Sequence, residues 1–167
     1  MANEFSFDVV SQINQQELKN ALDQVRRELA QRYDLKNSGS SVDLEGRTIK
    51  LASASEMTLE SVRDLLLERS VRRGLSPKVF DYGRVEEASK GTVRQTVTLR
   101  EGLSQELQKE ITKLVRDRLP KLKSQVQGDA VRVVGKSKDD LQAAIKVLRS
   151  AEQERSWPVP LQFINYR

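Results

Sequence analysis

Residues 125–145 read Gln125-Val-Gln-Gly-Asp-Ala-Val-Arg-Val-Val-Gly-Lys-Ser-Lys-Asp-Asp-Leu-Gln-Ala-Ala-Ile145, and this stretch decides the fold. Apolar and polar residues alternate before and after Gly128-Asp129, which is typical of two strands joined by a tight turn. From Ser137 onward the apolar residues take helical spacing, and the serine stands where a capping residue begins a helix. The stretch therefore predicts a β-hairpin that leads directly into a helix.

The tripeptide Gly135-Lys136-Ser137 resembles the end of a phosphate-binding loop. A Walker loop has four residues between its first glycine and the Gly-Lys-Ser/Thr, so that a flexible turn wraps the phosphates. Here six residues separate Gly128 from Gly135, and three of them are valines of a predicted strand. This spacing argues against a P-loop.

The composition excludes several kinds of chemistry. The 167 residues include no cysteine and no histidine, which rules out disulfides, Cys/His zinc sites, thiol nucleophiles and imidazole acid–base catalysis. No carboxylate constellation calls for a metal, and Asp139-Asp140 stands in a first helical turn, where acids stabilise a helix. We expect a binding protein with no catalytic residues, no metal and no cofactor. The N-terminus has no signal-peptide pattern and no run is long enough to span a membrane, so we expect a cytoplasmic protein.

The net charge of +5 is unevenly distributed along the chain. Residues 1–83 carry 12 Lys/Arg and 13 Asp/Glu, whereas residues 84–167 carry 17 and 11. Positive fields attract polyanions such as nucleic acid and phosphorylated ligands. The distribution therefore predicts that an anion-binding surface lies in the second half.

The chain repeats one order of elements, and the quoted stretch is the second copy of its hairpin and helix. The first half predicts a strand at 5–10, a helix after Asn14, a hairpin at 42–51, a helix ending near Gly74 and a strand at 79–82. The second half predicts a strand at 92–100, a helix between Ser104 and Pro120, a hairpin at 124–134, a helix at 137–151 and a strand at 161–166. A shift of 82 positions places Gly46 on Gly128 and Lys50 on Arg132.

Each half is thus β-α-β-β-α-β, the split βαβ arrangement. The sequence predicts an α+β protein of two ferredoxin-like βαββαβ domains, whose antiparallel sheets each carry two helices on one face. We place a first domain at residues 1–83, a connecting segment at 84–91 and a second domain at 92–167. The other face of such a sheet is left to solvent.

The solvent face of the second predicted sheet is the candidate binding surface, because RNA-recognition domains of this topology bind there. Guanidinium and ammonium groups bind phosphate oxygens, and side-chain amides bind base edges. By side-chain alternation this face displays Arg94, Arg100, Gln125, Gln127 and Arg132, and Lys136 and Lys138 stand at the start of the following helix. These seven are the candidate nucleotide-binding residues. The first sheet shows a nearly neutral face with Asp43, Thr48, Lys50 and, with less support, Asp8. Polar side chains on a solvated face also serve solubility alone, so the pattern leaves that interpretation open.

The aromatic residues do not favour base stacking. The signature that places aromatics on the central strands of an RNA-recognition domain is missing from the sequence. Phe5, Phe7, Phe163 and Tyr166 lie on the two terminal strands, where we expect them in the core.

Four segments together resemble the YajQ family of small bacterial nucleotide-binding proteins over essentially the whole chain. They are Ser6-Phe-Asp-Val-Val-Ser11, Arg32-Tyr-Asp-Leu-Lys36, Gln125 to Gln142 and the ending Leu161-Gln-Phe-Ile-Asn-Tyr-Arg167. Leu35 and Tyr166 depart from it, since phenylalanine is expected at both. The resemblance implies two RNP-like domains, nucleotide or nucleic-acid binding, and for some members cyclic di-GMP sensing that regulates transcription. It also implies that the terminal strands at 5–10 and 161–166 are shared or interleaved between the domains.

The leading hypothesis is a non-enzymatic protein that binds a nucleotide, such as a cyclic dinucleotide, or RNA such as tRNA. Its alternative is a protein-interaction module that acts on a transcription regulator through the exposed sheet. A magnesium-dependent phosphodiesterase that uses Asp139 is a distant third.

Overall fold

The computed structural model describes residues 4–167. Its α-helices are α1 (Gln15–Gln31), α2 (Glu56–Arg72), α3 (Gln105–Arg118) and α4 (Lys138–Glu154). The strands are β1 (Phe5–Val10), β2 (Ser41–Glu45), β3 (Thr48–Ser53), β4 (Phe80–Tyr82), β5 (Glu86–Glu87), β6 (Val93–Leu99), β7 (Lys123–Gln127), β8 (Ala130–Gly135) and β9 (Gln162–Ile164). No helix of the described part of the chain is long and apolar enough to cross a membrane.

Each helix begins where a polar side chain caps it. Asn14, Ser55, Ser104 and Ser137 accept a hydrogen bond from a backbone N–H of the first turn, which satisfies a donor that has no partner within the helix. The helix starts predicted at Asn14, Ser104 and Ser137 are therefore confirmed.

The strands form two antiparallel sheets, and the predicted fold class is confirmed. One sheet has the order β7-β8-β1-β9, and the other has the order β2-β3-β6-β4, with β5 paired to β6. In each sheet a hairpin supplies two neighbouring strands, a third strand lies beside the hairpin, and the strand after the second helix lies beside the third. This is the order of a ferredoxin-like sheet in both cases.

The third strand of each sheet comes from the other half of the chain. β1 lies between β8 and β9, and β6 lies between β3 and β4. The chain accordingly forms two compact units. Unit 1 joins the segment that ends at Gln12 to Glu101–Arg167, and unit 2 is Ile13–Arg100.

This arrangement replaces the linear division at residues 84–91. β1 and β9 are neighbours in one sheet, the arrangement that the family resemblance indicated. β6, which the linear division gives to the second domain, completes the sheet of the first hairpin instead. Part of the supposed connecting segment is β5, which pairs with β6.

Each unit has its own core. In unit 1, Phe7 and Val9 of β1 pack with Val131 and Val133 of β8 and with residues of α3 and α4. In unit 2, apolar residues of α1 and α2 pack against β3 and β6 in the same way. Helices therefore cover one face of each sheet and leave the other face open.

The aromatic expectation is confirmed in part. The rings of Phe7 and Phe163 meet edge to face inside the unit 1 core, with centroids 5.7 Å apart. Phe5 packs against this core while partly exposed, and Tyr166 is 59% exposed.

Candidate functional site

The open face of unit 1 is the side of its sheet turned away from α3 and α4. Because directly paired residues share a face, the register determines its members. They are Lys123, Gln125 and Gln127 on β7, Ala130, Arg132 and Val134 on β8, Ser6, Asp8 and Val10 on β1, and Gln162 and Ile164 on β9. Three of the sequence-predicted residues, Gln125, Gln127 and Arg132, thus lie together on this face.

An ion pair lies at the centre of the open face. Arg132 donates from Nε to Asp8 Oδ1 at 2.8 Å and from an Nη atom to Asp8 Oδ2 at 3.3 Å. The Asn165 side-chain amide donates to Asp8 Oδ2 at 2.8 Å. The Asp8 side chain is 10% exposed and that of Arg132 27% exposed, so water screens the pair only in part.

These contacts shift both ionisation equilibria. The hydrogen bond from Arg132 is the main cause that lowers the pKa of Asp8 below its usual range, and burial opposes it. Asn165 and the charges of Arg132 and Arg167 lower it further. The same hydrogen bond raises the pKa of Arg132. Arg132 is therefore not the free cation expected from the sequence, since Asp8 holds two of its nitrogens.

A β-bulge brings Asn165 to this pair. Asp8 is paired with Ile164, whereas Ser6 exchanges both backbone hydrogen bonds with Arg167. Two residues of the terminal segment therefore stand opposite Phe7 alone, and Asn165 has a φ of 57°. An extra residue in the left-handed region is a known form of bulge, and asparagine tolerates that conformation.

The row on β7 is the most accessible part of the open face. β7 is an edge strand, and Lys123, Gln125 and Gln127 are all exposed. Within residues 4–167 none of the three side chains has an ion pair or side-chain hydrogen bond. Two amides and one ammonium group are thus free to bind a ligand.

The two lysines near α4 occupy different sides of the sheet. Lys136 is exposed and follows β8 directly, at the end of the open face. The Nζ of Lys138 lies 5.4 Å from the ring centroid of Phe5, which shares the helix-side face with Phe7. Lys138 is the first residue of α4, as predicted, and it lies on the helix side of the sheet, away from Gln125 and Gln127.

Packing explains Gly135 in the sequence that resembled a phosphate loop. Gly135 is the last residue of β8 and is buried, and a Cβ added to it would lie 2.4 Å from Leu122 Cδ2. Ser137 caps α4 by accepting from the Asp139 N–H at 3.1 Å. Both residues have structural roles in a strand-to-helix turn.

Arg94 and Arg100 do not lie in the sheet that carries Gln125. Arg94 lies in β6 and Arg100 directly follows it, and both belong to unit 2. Arg94 forms an ion pair with Glu86 at 3.4 Å, and Arg100 forms one with Asp81 at 3.4 Å. The prediction that Arg94 and Arg100 share one sheet face with Gln125, Gln127 and Arg132 is therefore wrong. The cause is the exchange of β1 and β6, which alternate in the same way and cannot be assigned to a sheet by periodicity alone.

The corresponding row of unit 2 has different charges. Gln125 is paired with Arg132, and the matching pair in unit 2 is Asp43 with Lys50. At the three open-face positions of the edge strand, unit 2 has Ser41, Asp43 and Glu45 where unit 1 has Lys123, Gln125 and Gln127. Lys50 is tied to Glu45 at 3.0 Å. The open face of unit 2 thus pairs its cations with carboxylates of the same face.

Net charge does not distinguish the two units. Unit 1 carries 13 Lys/Arg and 11 Asp/Glu, and unit 2 carries 16 and 13. The prediction of a basic second half does not apply to the folded units, because residues 84–100, with four Lys/Arg and two Asp/Glu, belong to unit 2, and the segment that ends at Gln12 brings two carboxylates into unit 1. The units differ instead in the positions of their charged side chains on the open faces.

Sequence reasoning missed the roles of Asp8 and Asn165, which are 157 positions apart. Alternation and the linear order of the strands assigned Asp8 to the other sheet, and no local signal marks Asn165 as its partner. Lys123 carried a usable signal, since it shares the alternation of Gln125 and Gln127.

Comparison with known proteins gives a consistent result. A family model described as nucleotide-binding protein YajQ-like matches residues 5–167. Proteins named nucleotide-binding protein from Chloroflexus aggregans, Synechococcus sp. (strain CC9605) and Prochlorococcus marinus (strain NATL2A) are 53%, 52% and 48% identical to the chain over 167 residues. Each of these alignments covers 100% of the chain and 100% of the relative. The chain therefore belongs to the family of YajQ-like nucleotide-binding proteins.

Proposed function

We propose that this chain binds nucleotides, as free molecules or within RNA, through the open face of unit 1. The observation that carries the proposal is the exposed row of Lys123, Gln125 and Gln127 on β7. It stands where unit 2 has a serine and two carboxylates, which would repel phosphate. The names of the relatives support the same ligand class.

Each kind of side chain in this row suits a different part of a nucleotide. A glutamine amide both donates and accepts, so Gln125 and Gln127 suit the edge of a base. Lys123, with Lys136 at the end of β8, supplies charge for phosphate oxygens. Arg132 contributes through the nitrogen that Asp8 does not hold, since only Nε and one Nη donate to the carboxylate.

A triple variant tests this assignment. Lys123→Gln/Gln125→Ala/Gln127→Ala removes one positive charge and two polar side chains from the open face of unit 1. Lys50→Gln/Thr96→Ala/Thr98→Ala makes the matched change on the open face of unit 2, where these three residues are neighbours. Calorimetric titration with an RNA dodecamer should show at least tenfold weaker binding for the first variant, because a charge-assisted hydrogen bond contributes about 1.5–3 kcal/mol. Equal losses in the two variants would contradict the site.

Salt dependence separates the ligand classes. Binding of single-stranded RNA weakens with a slope of about −0.7 in log–log form for each phosphate that is neutralised. A cyclic dinucleotide such as cyclic di-GMP has two phosphates and should give a shallow slope, whereas an RNA chain should give a steep one. Titrations with cyclic di-GMP, oligouridylate and tRNA at two salt concentrations therefore identify the class.

A further inference from the structure

A groove lies between α3 and α4, on the side of the unit 1 sheet opposite the open face. One cavity of about 320 Å³ has walls from both helices, and a second cavity of about 400 Å³ continues along α3. The two share Leu114, Arg118 and Arg155. Cavities of this size accommodate a small ligand.

The matching seam of unit 2 is closed. α1 and α2 pack against each other, and ion pairs join Arg69 to Glu28 and Arg73 to Glu17, the latter at 3.6 Å. Arg73 also donates to Gln24 at 3.3 Å. The backbones of α3 and α4 make no comparable approach. The two units have the same strand order but differ in how closely the backbones of the helix pair approach each other.

The charges in the groove are separated along its length. At one end Arg155 pairs with Glu110 at 2.9 Å, and Glu154 lies beside them. At the other end Arg118 of α3 and Lys146 of α4 line the same cavity, and neither has an ion pair with the described residues. Lys146 and Glu154 are eight residues apart on one helix, which is about 12 Å along its axis. Glu154 therefore does not neutralise the Arg118–Lys146 end.

A favourable interaction with the helix macrodipole explains the position of only one of these two cations. Arg118 is the last residue of α3, where a positive charge favours the macrodipole. Lys146 lies in the middle of α4 and gains nothing from that effect. Asp117 lines the adjoining cavity with Arg118, but the ion pair of its carboxylate is with Arg116, at 3.9 Å. Arg118 and Lys146 line one cavity and neither forms an ion pair within the described residues, so their like charges repel and an anion bound between them would relieve that repulsion.

We propose that the groove between α3 and α4 binds a phosphate group, held by the guanidinium of Arg118, the ammonium of Lys146 and the hydroxyl of Ser150. Ser150 lies one helical turn beyond Lys146 and lines the same cavity. A guanidinium binds phosphate through two parallel hydrogen bonds, and a lysine acts as a point charge. The phosphate belongs either to a small phosphate ester or to the backbone of a nucleic acid. The site is separate from the proposed open-face site, because the sheet lies between them.

The test uses the full chain labelled with ¹⁵N and titrated with inorganic phosphate at constant ionic strength in chloride. Amide signals of residues 114–118 and 146–151 should shift and saturate. Arg118→Gln/Lys146→Gln should weaken this binding at least tenfold. Lys19→Gln/Arg27→Gln is the matched control, since both are exposed cations of α1 with no ion pair in the described chain, and it should leave binding unchanged.

Two further arms separate the sources and the sites. Uridine monophosphate shifting the groove signals as strongly as oligouridylate indicates a small ester, and stronger shifts with oligouridylate indicate a nucleic-acid backbone. The variant Lys123→Gln/Gln125→Ala/Gln127→Ala should keep the groove response even if open-face binding is lost. Shifts that do not saturate, that persist in Arg118→Gln/Lys146→Gln, or that vanish in the open-face variant would each overturn the groove site.

Discussion

At the scale of single residues, the Asp8–Arg132 pair is the main difference between the expected and the observed open face. Asp8 accepts three hydrogen bonds from two side chains while its own side chain is only 10% exposed. Removing one member of such a pair leaves the other charge without a partner in a poorly solvated position. We therefore expect the pair to matter for stability as well as for binding.

Asp8→Asn should lower the free energy of unfolding by about 2 kcal/mol, which lies within the range for the loss of a charge-assisted hydrogen bond. The new amide group would face donors of Arg132 or Asn165. Urea unfolding measures the change, and Glu45→Gln is the control, because the Lys50–Glu45 pair is exposed and such pairs contribute little. Equal effects of the two substitutions would contradict the role given to Asp8.

The lowered pKa of Asp8 predicts a pH dependence with a definite sign. The folded-state pKa lies below the unfolded value of about 3.8, so the stabilising contribution is complete above that value and is lost as pH falls through the folded pKa. The difference in unfolding free energy between the wild type and Asp8→Asn should therefore stay constant from pH 5 to 8, roughly, and close below about pH 4. Thermal unfolding across this range measures it, and a difference that persists at the lowest pH would argue against the ion pair as its source.

At the scale of elements, the bulge after β9 determines where Asn165 points. Its φ of 57° suits glycine and asparagine and opposes a β-branched side chain. Asn165→Gly should keep the backbone and lose only the bond to Asp8, at a cost of about 1 kcal/mol. Asn165→Val should cost more, because strain in the left-handed region adds about 1–3 kcal/mol. Thermal unfolding of both variants checks the order, and a valine variant as stable as the glycine variant would contradict the bulge.

At the scale of the whole molecule, the strand exchange predicts which fragments fold. Residues 13–100 contain every strand of the unit 2 sheet and its core, so this fragment should unfold cooperatively on its own. Residues 92–167 lack β1, the strand between β8 and β9, and should not. Circular dichroism and thermal scans of the two fragments measure this. A cooperative transition in residues 92–167 and none in residues 13–100 would favour the linear division.

The backbone also indicates how unit 1 can be made continuous. The Gly102 N–H donates to the Ser11 carbonyl at 2.6 Å, so the two chain segments of unit 1 lie side by side where unit 2 is inserted. Replacing residues 13–100 by a short glycine linker should give a βαββαβ domain in sequential order. A product without a cooperative transition would show that unit 1 depends on unit 2.

The sequence by itself determined the local features of this protein. Capping at Ser104 and Ser137, the hairpin around Gly128 and the outward direction of Gln125 depend on neighbours a few residues away, so patterns of spacing suffice to predict them. Only the tertiary structure decided which sheet receives β1 and which receives β6. Alternation specifies the face on which a side chain lies but not the strand beside it, because pairing across such distances depends on the fit of two cores. That choice took Arg94 and Arg100 out of the candidate site and brought in Asp8 and Asn165.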